Sequence, residues 1–83
     1  MDTTTERLAR LETAQELLSF QIAWLSKQIQ MAREADVRGV DVLIEQKSQL
    51  IDLEDRLTLA DPALTEQVIE RYGPLVRSRH QAR

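Results

Sequence analysis

LSFQIAWLSKQIQM, residues 18–31, decides the fold. At helical spacing this stretch carries two apolar faces. Leu18, Ile22, Leu25 and Ile29 line one side, and Phe20, Trp24 and Met31 look out from the other. A helix on the surface of a globular protein needs one apolar stripe. A helix with two must be covered twice.

The first face extends over four heptads. Positions a are Leu8, Gln15, Ile22 and Ile29, and positions d are Leu11, Leu18, Leu25 and Ala32, so Gln15 alone is polar. That is the pattern of a coiled-coil or bundle seam, within one chain or between chains. A single polar residue at a can fix register or oligomeric state. Gln15 is equally well read as solvated, if the partner helix ends before reaching it. The second face holds Leu17, Phe20, Trp24 and Met31. Burying each would contribute about 2 kcal/mol. Either helix 3 (about 62–76) packs on them as ordinary core or, left open, they form a patch that calls for a partner, and their types are enriched in interfaces.

Two glycines and two prolines mark the boundaries. Thr3, with Glu6 three residues on, fits a capping box, so helix 1 is predicted from about 4 to 36, with Gly39 as its C-terminal glycine. Asp41 is a plausible N-cap for helix 2, predicted over about 41–59. Asp61-Pro62 restarts a helix with a cap and a proline in the first helical position. Helix 3 is predicted over about 62–76, with Gly73-Pro74 ending or kinking it, and 77–83 is read as a basic flexible tail. No alternating run long enough for a strand is found. The fold class is therefore all-α: a long antiparallel helical hairpin plus a short third helix, packed in coiled-coil fashion as one domain over 1–76. The short 1–2 connection makes those helices antiparallel neighbours. Helix 2 then covers only the C-terminal half of helix 1. Leu8, Leu11 and Gln15 project past it and form a candidate oligomer seam.

Helix 2 is broad as well. Leu43, Leu50 and Leu57 recur at heptad spacing beside a row of Val40, Ile44 and Ile51. Lys47 and Glu54 lie between the rows, and are expected to snorkel to solvent with their stems packed.

At 83 residues the chain is a single domain. Small domains often need disulfides, a metal or a partner for support. Cysteine is absent and His80 is the sole histidine, which leaves helix packing and self-association. The reading is of a non-enzymatic chain with no cofactor and no metal: there is no thiol nucleophile, no glycine-rich phosphate loop, and the one imidazole falls in the predicted tail. Fourteen acids and seven basic residues in 1–70 leave −7, whereas Arg71, Arg77, Arg79 and Arg83 give the C-terminus +4. Those arginines, with Tyr72, are the candidate nucleic-acid contacts. The overall pI of 5.1 speaks against nucleic acid as the main partner. No apolar run approaches the ~20 residues of a membrane span, and the polar N-terminus is unlike a signal peptide, so a cytoplasmic location is expected. The function read from these features is protein–protein interaction: a small helical adaptor, chaperone or inhibitor. It would act through the Leu17, Phe20, Trp24 and Met31 face, as a homodimer or higher oligomer, on itself and on another protein. The alternative is a nucleic-acid-associated protein using the arginine tail.

Overall fold

The computed structural model describes residues 3–35 and 38–81, and among them there are three helices and no strand. They are α1, Thr4–Glu34, α2, Val40–Arg56, and α3, Pro62–Gln81. The fold class expected from the sequence is the one observed: an all-α arrangement in which α1 packs on both other helices.

α1 starts as its sequence dictates. The Glu6 amide donates to Thr3 Oγ1 at 3.1 Å, and the Thr3 amide donates to Glu6 Oε2 at 3.4 Å. Two otherwise orphaned amides are thereby satisfied. α1 ends with Ala35 as C-cap, earlier than the predicted residue 36. Gly39 does adopt the left-handed conformation, at φ 95°, but as the N-cap of α2 and not as the terminator of α1. Its carbonyl accepts from the amides of Val42 and Leu43. Asp41, the expected cap, lies instead inside the first turn of α2, where its charge favours the helix N-terminus.

α2 ends at Arg56, three residues short of the expected 59. Thr58 is the reason. Its hydroxyl accepts from the Ala60 amide and its carbonyl from the Asp61 amide, so a local turn replaces helix. Leu57, extended at φ −69°, ψ 124°, is left buried in the core. Asp61 then caps α3, its Oδ1 accepting from the Leu64 amide at 3.0 Å, with Pro62 opening the helix.

The largest departure from the sequence reading is the far end of α3. It does not stop at 76. It runs through Gly73-Pro74 to Gln81, so residues 77–81 are helix and not tail. An internal proline costs about 3 kcal/mol through its missing amide and its steric clash. Here Pro74 and Glu70, whose carbonyl loses its donor, are both exposed, so water can serve that carbonyl. Buried Tyr72 and Val76 anchor the helix on either side of the break.

Long-range contacts fix the directions. Ser19 meets Glu54, so α2 runs antiparallel to α1. Arg10 meets Glu66 and Gln21 meets Arg79, so α3 runs parallel to α1 along its N-terminal two-thirds. Among the described residues α2 and α3 each pack on α1 without their backbones approaching one another. The result is a flat layer, 51 × 27 × 14 Å, with α1 in the middle.

This placement moves the buried line of α1. Ala14 and Leu18 are fully buried, and Leu11, Gln21 and Leu25 nearly so. The buried line keeps Leu11, Leu18 and Leu25 of the first face and turns toward the second through Ala14 and Gln21, because helices on both flanks cover it. Leu11 therefore belongs to the intramolecular core, packed with Leu57, Val68 and Tyr72 in one cluster. Leu8, 44% exposed, and Gln15 remain open where α2 has already ended.

Candidate functional site: the groove between α2 and α3

The face that seemed to need a second cover has one within the chain. Leu17 and Trp24 pack against the core cluster beneath α3. The Phe20 and His80 rings lie 4.6 Å apart, centroid to centroid. Arg79 sets its guanidinium 3.5 Å from the centre of the Trp24 ring while its Nε donates to Gln21 Oε1 at 3.1 Å. A stacked guanidinium of this kind contributes ~1 kcal/mol. It also gives Gln21, a polar side chain on the buried line, its partner. Met31 lies past the end of α3 and stays 52% exposed. Three of the four residues read as an interface are thus partly or largely covered by α3, and Met31 is not.

The C-terminal arginines do not gather into one patch. Arg79 lies against Trp24. Arg71 lines the space between α2 and α3 and sits 5.6 Å from the centre of the Tyr72 ring. Arg77 is exposed, half a turn around the helix from buried Val68. Arg83 falls outside the described residues. Lys47 and Glu54 turn out to lie on the side of α2 that faces α1, both half-buried, and Glu54 Oε2 accepts from the Ser19 hydroxyl at 3.1 Å.

Because α2 and α3 stand apart, a groove of 470 Å³ runs between them over α1. Leu25, Leu50, Leu53, Tyr72 and Leu75 supply its apolar surface, and Leu75 is 42% exposed. Gln21, Gln46 and Gln49 contribute amides. Arg56 and Arg71 supply charge, and no acid lines the groove although the chain has 14. The groove continues toward the start of α3 past Leu64, Gln67 and Val68. Sequence reasoning missed this site. Its residues come from three helices, and each helix taken alone shows only ordinary leucines and glutamines. The one available signal was that both long helices carry more apolar positions than a two-helix contact uses.

A second cavity, of 390 Å³, lies at the N-terminal end between Arg7, Arg10, Leu59 and Pro62. Arg10 is committed there to Glu66, at 2.9 Å from Nε and 2.6 Å from Nη2. Among the described residues no group of three or more His, Asp or Glu side chains is placed to hold a metal ion. No helix of the described residues is long and apolar enough to cross a membrane. Compared with known proteins, the chain matches no family model, no curated protein and no solved structure.

Proposed function

We propose that this chain works by binding: a small helical adaptor, chaperone or inhibitor in the cytoplasm that presents an apolar helical face and assembles with itself. The observation that carries the reading is an excess of surface. A folded monomer of 9.6 kDa is expected to expose about 5,100 Å². This chain exposes 6161 Å², and its radius of gyration is 14.6 Å where about 12 Å is usual for this length. The difference, roughly 1,000 Å², is somewhat more than the ~800 Å² that one partner contributes to a standard interface. It arises because three helices lie in one layer and leave the α2–α3 groove open. The binding face is accordingly the groove, with Leu75 at its edge, more than the Phe20 and Trp24 face that α3 already occupies.

Sedimentation velocity over a wide concentration range tests the reading. Rising mass with concentration is expected for the intact chain. Leu75→Glu, at an exposed position, is expected to weaken assembly by at least about tenfold at unchanged helicity. A compact monomer at every concentration would overturn the self-association at the centre of this proposal.

A further inference from the structure

Resting on that reading, we propose that the α2–α3 groove is filled by the outer face of α2 from a second copy of the chain, in a head-to-tail contact. The two surfaces differ, and they complement each other in charge and in apolar character.

The groove side is described above: leucines and Tyr72, with Arg56 and Arg71 as its only charges. Neither arginine has an ion-pair partner among the described residues, so both are available to an incoming acid. The other surface is on α2 but points away from the groove. Ile44 and Ile51, seven residues apart, share one line of the helix and are 38% and 40% exposed. Asp41, Ser48, Asp52 and Asp55 lie beside that line, all exposed. The three aspartates make no side-chain hydrogen bond or ion pair among the described residues. α2 thus presents an amphipathic acidic surface with two isoleucines that no part of its own chain covers completely.

An isoleucine pair set among aspartates is a surface that an apolar groove edged only by arginine and glutamine would accept. Like surfaces would fare worse. Two grooves face to face would oppose arginine to arginine, and two outer α2 faces would oppose aspartate to aspartate, each at a cost in like-charge repulsion. Charge therefore selects the unlike pairing. Because groove and outer α2 face are distinct patches on opposite sides of α2, a pair joined by one contact still has one groove and one outer face free. Such a heterologous contact closes into a ring or continues as an open chain of subunits.

Mixing two variants tests this. Arg71→Glu with Leu75→Glu blocks the groove and leaves the outer face intact. Ile44→Glu with Ile51→Glu blocks the outer face and leaves the groove intact. Asp52→Asn with Asp55→Asn is a milder version that keeps the exposed isoleucines. The intact chain is expected to grow past a dimer with concentration. Each blocked variant alone is expected to stay monomeric in the same range, with unchanged helicity by circular dichroism. An equimolar mixture of the two is expected to form a dimer and nothing larger, since one competent pair of surfaces remains. Asp52→Asn with Asp55→Asn should weaken assembly at low salt and lose that difference at high salt.

Normal assembly by both blocked variants would overturn the proposed pairing while leaving self-association through another face in place. A single blocked variant that assembles normally by itself would replace it with a two-fold contact of like surfaces, and a mixture that stays monomeric while the intact chain assembles would overturn it. An intact chain that never assembles would overturn both this pairing and the self-association on which it rests.

Discussion

Arg79 illustrates how much one side chain can hold in a small domain. It stacks on Trp24, serves the buried amide of Gln21, and fastens the last turns of α3 to the middle of α1. Arg79→Ala removes the stacking and leaves Gln21 short of a partner, a loss of roughly 1–3 kcal/mol. Trp24 is the only tryptophan, so its fluorescence should shift to the red in the variant, and urea unfolding should show the lost stability. An unmoved emission maximum would mean that the end of α3 does not depend on this contact. Core positions should separate from open ones just as clearly. Leu18→Ala, at a fully buried site, should cost 2–5 kcal/mol, as is usual for such cavities. Met31→Ala should stay within about 0.5 kcal/mol. The Arg10–Glu66 pair gives a smaller, pH-dependent effect. Hydrogen bonds from Arg10, reinforced by its charge, hold the Glu66 carboxyl below its ordinary value. A depressed carboxylate adds stability above the ordinary carboxylate range and loses it as pH falls through the lower folded value. The stability difference between the intact chain and Glu66→Gln should therefore be present at neutral pH and vanish in acid. At this scale the sequence was only partly legible. Gln15 stood out because it broke the heptad, yet Gln21 is the glutamine that the fold buries, at a position that becomes internal only once α3 lies beside α1.

α1 and α3 began where local chemistry said they would, and α3 ended where tertiary contacts decided. Thr3 with Glu6, and Asp61 with Pro62, are local signals, and the starts of α1 and α3 follow them. The end of α3 ran against local expectation because Tyr72 and Val76 are held by α1 across the Gly73-Pro74 break. Glycine reads differently at the two places it occurs. At Gly39, φ is 95°, and although nothing stands within 4 Å of an added Cβ, any side chain there is strained. Gly39→Ala should cost ~1–2 kcal/mol. Gly73 is in ordinary helical conformation with equally open space around it. Gly73→Ala gains helix propensity worth about 0.5–1 kcal/mol but sets a Cβ against the ring of Pro74 in helical backbone, so its net effect should be small. Calorimetry should show a clear fall in melting temperature for Gly39→Ala and little change for Gly73→Ala. A fall at Gly73 as large as that at Gly39 would contradict the left-handed turn before α2 as the special glycine position of this chain.

At the scale of the molecule, the arrangement follows from the double-faced character of α1 with which the sequence opened. A helix with one stripe would sit at the edge of a bundle. α1 has two, takes α2 on one flank and α3 on the other, and becomes the centre of a layer one helix deep. The all-α class and the hairpin were legible because periodicity and helix caps are local properties. The groove was not, because it is a gap between two helices whose backbones do not approach one another, and no stretch of sequence encodes a gap. The same geometry makes α1 the single element on which stability depends. α2 and α3 bury their apolar sides against it, and Leu50 and Leu57 from α2 share one core with Val68 and Tyr72 from α3 above it. Removal of α3 would uncover Leu17, Trp24 and the fully buried Ala14–Leu18 line at once. Each large apolar side chain returned to water costs ~2 kcal/mol, against a total stability that for a domain of this length is only about 5–10 kcal/mol. Residues 1–60 alone should therefore lack a cooperative thermal transition, and should expose Trp24 to quenchers such as iodide. Adding residues 61–81 in trans as a separate peptide should restore part of the helicity and shield Trp24, because the α3 surface that docks on α1 is present whether or not the chain is continuous. A cooperatively folding 1–60 fragment with shielded Trp24 would show instead that the hairpin stands by itself and that α3 is an addition to it.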